Sequence, residues 1–134
     1  MKTLTIFISI LVITLLSSPT WSETLTIDDL VERDGLVYKK FTNVPFTGEI
    51  TGIDTGQFKD GKKEGYWEFY HYNGQLSGKG NMKEGRMEGL WFWYSEDGYL
   101  HYKGQYCEGN RRGLWKTYRK DGSVKETTTY WKCD

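Results

Sequence analysis

The sequence predicts an all-β fold, an elongated twisted antiparallel β-meander built from 24-residue hairpin repeats, on three observations. The segments Gly65-Tyr66-Trp67-Glu68-Phe69-Tyr70, Gly89-Leu90-Trp91-Phe92-Trp93-Tyr94 and Gly113-Leu114-Trp115-Lys116-Thr117-Tyr118 stand 24 residues apart without a gap. Between them, side chains alternate with period two: Leu76, Gly78, Gly80 and Met82 share one face, and Ser77, Lys79, Asn81 and Lys83 the other. Asn73-Gly74, Asp97-Gly98 and Asp121-Gly122 punctuate each copy with dipeptides that accept positive φ, as two-residue hairpin turns of the right twist demand. Aromatic residues make up 16% of 134 residues, yet the mean hydropathy is −0.66. Few aliphatics and many aromatics suit a thin sheet better than a thick core.

From the amino terminus, Lys2, the 13-residue apolar run Leu4 to Leu16 and the following Ser17-Ser18-Pro19 have the charge, length and flanks of a secretory signal peptide. Residues 1–22 are assigned to it, with Thr20 and Ser22 as the small residues before the cleavage point, and the mature domain is expected to span 23–134. The apolar run is too short to cross a bilayer comfortably. An exported, most simply periplasmic, location follows as an expectation. Loss of residues 1–22 removes Lys2 and no acidic residue, which leaves a net charge of −1. That balance argues against a nucleic-acid partner.

Residues 23–64 depart from the full pattern. Thr26-Ile27-Asp28-Asp29 before Leu30, Val31 and Gly35 predicts a short capping helix from about Ile27 to Arg33. Leu36 to Phe41 and Phe46 to Thr51 read as a hairpin around Asn43-Val44-Pro45, and the helix is expected to blunt the open sheet end. The repeats then occupy 65–88, 89–112 and 113–134. Their recurring residues are Gly65, Trp67, Tyr70 and Gly74, then Gly89, Trp91, Tyr94 and Gly98, then Gly113, Trp115, Tyr118 and Gly122. Indoles opposite glycines can lie flat on a neighbouring strand, so Trp67, Trp91 and Trp115 are predicted to form one stacked row as scaffold.

The Gly-x-Trp-x-x-Tyr units with their downstream Gly turns resemble the MORN repeat in its bacterial variant. The leader Glu32-Arg33-Asp34-Gly35-Leu36-Val37-Tyr38-Lys39-Lys40-Phe41, followed by Pro45-Phe46-Thr47-Gly48, is similar to the start of bacterial proteins of the YwqK antitoxin type. The resemblance covers roughly Leu30 to Tyr130. It implies a twisted sheet of hairpins and an immunity-type role toward a toxin. The export signal departs from a cytoplasmic antitoxin.

No catalytic, metal or cofactor site emerges from the residues. His71 and His101 occupy non-equivalent places, and with Cys107 and Cys133 they show no metal-ligand spacing. Glu64, Glu88, Asp97 and Asp121 sit at turns, and the Gly-rich stretches lack the Lys-Ser/Thr ending of a phosphate loop. Cys107 and Cys133 are candidates for a disulfide in an oxidising compartment. A regular sheet separates them by about 10 Å, so the bond requires the carboxyl terminus to close the gap. The off-pattern aromatics Tyr72, Phe92, Trp93 and Tyr99 are the candidate partner surface. The first functional expectation is therefore a non-enzymatic, exported protein-interaction module. The alternative is binding to an anionic membrane surface through the edge that carries Lys59, Lys62, Lys63, Lys83, Arg86, Arg111 and Arg112.

Overall fold

The period-two alternation and the Gly-containing turns resolve into ten strands among residues 24–131, the part of the chain that the computed structural model describes. The expected leader and Cys133 lie outside the described residues. The strands are β1 (Leu30–Arg33), β2 (Leu36–Lys39), β3 (Gly48–Ile50), β4 (Asp54–Lys59), β5 (Lys62–Tyr70), β6 (Leu76–Lys83), β7 (Arg86–Tyr94), β8 (Leu100–Cys107), β9 (Asn110–Tyr118) and β10 (Val124–Tyr130). Strands β3 to β10 form one open antiparallel sheet in chain order, a meander, while β1 and β2 pair separately.

The two sheet edges use different turns. Asp60-Gly61, Glu84-Gly85 and Glu108-Gly109 each place both residues at positive φ, near 50° and 80°, which is the two-residue turn that matches strand twist. At the opposite edge only the glycine is left-handed. In the first copy the Gly74 N–H donates to His71 O at 2.9 Å, and the His71 N–H donates to Gln75 O at 2.8 Å. Asn73-Gly74, Asp97-Gly98 and Asp121-Gly122 thus end three-residue loops and are not the two-residue turns expected of them. The two-residue turns lie on the other edge.

Only at its first end does the long sheet have other elements against its apolar face, Leu30 of β1 and Val37 of β2 among them; along the repeats the aromatics cover one another. Trp67 and Trp91 are fully buried and Trp115 is 4% exposed. Each indole lies over the glycine of the preceding strand: Trp67 over Gly56, Trp91 over Gly80 and Trp115 over Gly104. A Cβ at those glycines would come within 2.2–2.4 Å of the ring, so only glycine leaves room. Each indole N–H donates to the carbonyl ten residues back, to Gln57, Asn81 and Gln105 at 3.2, 3.0 and 3.1 Å. The ladder pairing shifts at each of these glycines, and the extra residues are in the tryptophan's own strand, where Gly65, Gly89 and Gly113 take positive φ, so the bulge bends the strand that carries the ring.

The row is continuous, but the tryptophans do not stack directly on one another. Phe69 stands between Trp67 and Trp91, at 5.9 Å from each. Trp93 and Tyr102 carry the row on to Trp115, at 6.0 and 5.9 Å for the last two steps. One repeat advances the sheet by two strand spacings, about 10 Å, and that is too far for indole-to-indole contact without an intervening ring.

The amino-terminal segment differs from the expected helix and hairpin. One 3-10 turn, Ile27–Asp29, is present, in which the Asp29 carboxylate accepts from the Thr26 N–H at 2.8 Å and from its hydroxyl at 3.0 Å. Leu30 then turns extended, because Asp34-Gly35 is a two-residue hairpin turn (φ 50° and 76°) rather than a helix end, and it pairs β1 with β2. The predicted Leu36–Thr51 hairpin reduces to a Tyr38–Pro45 bridge, since β2 is committed to β1 and β3 to β4. Leu25 bridges Ile50, and Leu25, Leu30, Ile50 and Phe58 close the end of the core.

Candidate functional site

Alternation divides the sheet into two faces that do different work. Trp67, Phe69, Trp91, Trp93 and Trp115 share the packed face. Their chain neighbours Tyr66, Glu68, Leu90, Phe92, Leu114 and Lys116 therefore point to the other. Phe92 and Trp93, grouped in the sequence reading as one partner surface, are consecutive in β7 and stand on opposite sides. Trp93 belongs to the scaffold: it stacks on Trp91 at 5.5 Å, and a Cβ on Gly78 would meet its ring at 2.6 Å. Phe92 stays on the open face, half-buried. Tyr72 is 98% exposed at the tip of the 71–75 loop. Tyr99 ends the next such loop, 6.4 Å from the His101 ring. These four residues do not converge on one patch.

The open face also carries residues that sequence reading did not single out. Tyr66, Leu90 and Leu114 are 53%, 45% and 54% exposed and follow one another at the 24-residue step. Their signal was present as the variable position of Gly-x-Trp. Across the strands, Cα pairing runs Glu68–Lys79–Phe92–Lys103–Lys116. The Lys79 ammonium lies 5.8 Å from the Phe92 ring and 5.9 Å from Tyr94, and Lys103 lies 5.9 Å from Phe92 and 5.7 Å from Tyr118. The Tyr70 hydroxyl donates to Glu68 at 2.6 Å, and that bond, ahead of burial, holds the Tyr70 phenol above its ordinary pKa. Burial is the main cause of the upward shift of Tyr66.

The basic edge is less continuous than its sequence suggests. Lys63 turns back over Trp67 at 4.5 Å and Phe69 at 4.7 Å, with Asp54 3.9 Å away, and burial pushes its ammonium below the ordinary lysine range. Arg111 likewise lies over Trp115 at 4.4 Å and donates to the Tyr130 hydroxyl. Arg86 faces Glu108 at 3.8 Å. The carboxylates expected at turns are structural: Glu64 accepts the Glu84 N–H at 2.9 Å, and Glu88 accepts the Glu108 N–H at 3.0 Å. The Asp121 side chain accepts from the Ser123 hydroxyl and N–H, and Asp97 meets Lys120 at 3.1 Å.

His71 Nε2 sits 3.0 Å from Tyr94 O, tying one loop to the next strand. Among the described residues no group of three or more His, Cys, Asp or Glu side chains could hold a metal, and no helix is long and apolar enough to cross a membrane. Cys107 is half-buried at the end of β8. Its expected partner, Cys133, lies outside the described residues.

The family model of the MORN repeat variant matches residues 63–84, 87–108 and 111–132. These three windows keep the 24-residue step and begin two residues before Gly65, Gly89 and Gly113. No curated protein and no solved structure matches the chain. With indoles on glycines, carboxylate-held turns and Gly-ended loops recurring in that same register, residues 63–132 are three MORN-variant repeats.

Proposed function

We propose that the chain is a non-enzymatic protein-interaction module that works outside the cytoplasm. MORN repeats are in general protein- or membrane-interaction units, which is the coarse class to which this reading belongs. The observation that carries it is the exposed column Tyr66, Leu90 and Leu114 beside Phe92, Tyr94 and Tyr118, on the face that the scaffold row leaves open. Exposed Tyr66, Leu90 and Leu114 beside half-buried aromatics and lysines have the make-up of an interface. An immunity-type role toward a toxin is the specific form suggested by the likeness of Glu32–Phe41 and Pro45–Gly48 to YwqK-type antitoxins. The leader 1–22 supports export to the periplasm.

The membrane-surface reading ranks below this one, because Lys63 and Arg111 are spent on rings of the packed face and Arg86 on Glu108. Affinity purification of the tagged full chain from the cell envelope tests the proposal. One stoichiometric protein partner is the expected result. Recovery of nothing above background, together with sedimentation on anionic liposomes, overturns it in favour of a membrane role.

A further inference from the structure

We propose that the open face takes an acidic, extended segment of a partner protein, laid across β6 to β9 and held by Lys79, Lys103 and Lys116. This deepens the protein-interaction reading and rests on it. The three lysines share that face because their chain neighbours are fixed on the other: Trp91 covers Gly80, Trp115 covers Gly104, and Trp115 itself precedes Lys116. They stand in one cross-strand line, Lys79 opposite Phe92, Phe92 opposite Lys103, and Lys103 opposite Lys116. At the strand spacing, Lys79 and Lys103 are about 10 Å apart and Lys116 about 5 Å further.

None of the three reaches a carboxylate of the described residues within 4.0 Å; the ion pairs there are Lys63–Asp54, Arg86–Glu108 and Lys120–Asp97. The carboxylates nearest them on this face already accept hydrogen bonds from other groups. Glu64 and Glu88 hold turn amides, and Glu68, at the head of the line, accepts from Tyr70. Lys79 and Lys103 have aromatic rings beside them instead. Half-buried stems whose ammonium groups touch no carboxylate favour one supplied from outside, through charge-assisted hydrogen bonds.

Spacing narrows the class of segment. One repeat advances about 9.6 Å, two strand spacings. A polyproline II helix advances about 9.3 Å per three-residue turn. A segment in that conformation, running along the stacking direction, brings every third residue over an equivalent place in successive repeats. Carboxylates at i and i+3 then meet Lys79 and Lys103, and intervening apolar residues meet the columns Tyr66–Leu90–Leu114 and Tyr70–Tyr94–Tyr118. Lys83 shares this face but stands four residues along β6 from Lys79, beside Arg86 at the turn edge, so the vesicle arm of the test below separates an anionic bilayer from an acidic segment.

The test is calorimetric titration of the mature chain with a peptide of about four Glu-Pro-Pro turns, chosen because that sequence pre-forms the conformation. A Lys-Pro-Pro peptide and a peptide of the same composition with its glutamates clustered are the controls. Saturable binding of the first alone is expected, weakened about tenfold or more by the double variant K79E/K103E and by raised salt. K79Q/K103Q, which removes charge without reversing it, should weaken binding less, and far-UV circular dichroism confirms that both variants fold. Absence of saturation, equal binding of the clustered peptide, or full binding by K79E/K103E overturns the proposal. So does sedimentation with phosphatidylserine vesicles by a chain that ignores the peptide. If an envelope partner is recovered equally well by wild type and K79E/K103E, this inference fails while the protein-interaction reading stands. If no partner is recovered at all, the broader reading fails.

Discussion

Replacing Gly104 by alanine separates the scaffold argument from ordinary glycine effects, because the two predict opposite signs. Gly104 lies outside the left-handed region, so an alanine there should stabilise the fold by about 0.4–1 kcal/mol through the unfolded state alone. The added Cβ, however, would stand 2.2, 2.3 and 2.5 Å from Cδ2, Cε2 and Cγ of Trp115. Restoring van der Waals contact requires the indole to lift by about 1 Å. That overpacking costs about 1–3 kcal/mol. Lifting also breaks the 3.1 Å bond from the indole N–H to Gln105 O, a further loss of about 1 kcal/mol. The expected net destabilisation is about 1–3.5 kcal/mol. Urea unfolding followed by far-UV circular dichroism measures it free of the altered tryptophan emission. In a Trp115→Leu background the ring is gone, and Gly104→Ala should become neutral or slightly stabilising. An unchanged midpoint for Gly104→Ala, or the same loss in both backgrounds, refutes the claim that the indole dictates the glycine.

Three other perturbations follow from the same geometry. Glu88→Ala removes the acceptor of the Glu108 N–H, so exchange of that amide should quicken and stability fall by about 0.5–1.5 kcal/mol; hydrogen exchange by NMR checks both. Asp121 is held below the ordinary carboxylate pKa by the Ser123 hydroxyl and N–H. With the folded value below the unfolded one, its contribution is full above about pH 4 and disappears as pH falls through the folded pKa. Asp121→Asn should therefore flatten the acid limb of a stability–pH curve, and an unaltered limb would count against the assignment. Finally, Thr128 stands 24 residues beyond Gly104, opposite Trp115 in the ladder, where a further indole would need glycine. A fourth repeat appended after Trp131 should fold cooperatively with the array only when Thr128→Gly accompanies it, as read by far-UV circular dichroism and exchange protection.

The parts of the fold set by a strict period were legible in the sequence. Trp67, Trp91 and Trp115 recur with Gly56, Gly80 and Gly104 one strand earlier, and a repeat unit can bury its aromatic face only against its neighbours. Turn class was misread, because Asn73-Gly74 and Glu84-Gly85 both offer a left-handed glycine. What separates them is whether the preceding residue is also left-handed, and strand pairing decides that. The amino-terminal helix was misread for a related reason: the acidic turn Asp28-Asp29 is real, but Asp34-Gly35 serves a hairpin, and pairing of Leu30–Arg33 with β2 overrides a one-turn helical signal. At the candidate site, irregularity in the repeat proved a poor guide by itself. Trp93 breaks the period and is scaffold, whereas Leu90 and Leu114 keep the period and are exposed. Face, rather than periodicity, separates the two roles.

That separation bears on how such a chain can acquire a partner. In a two-layer domain both faces of each strand are constrained, one by the core and one by solubility. Here the apolar payload of the repeats is stacked ring on ring within one face, so that Trp91 is fully buried among Phe69, Trp93 and Tyr106. Substitutions on the open face leave the indole–glycine contacts untouched, and at the exposed Tyr66, Leu90 and Leu114 their cost to folding is that of surface changes, within about 0.5 kcal/mol. The same glycines that admit the rings fix the register of the opposite face, because a one-residue slip would exchange the two faces outright. A rigid ruler of about 10 Å per repeat is thus imposed on residues that carry little of the folding energy. Recognition on that face can change by point substitution at fixed spacing, and the ligands that suit it are those whose own repeat matches the ruler.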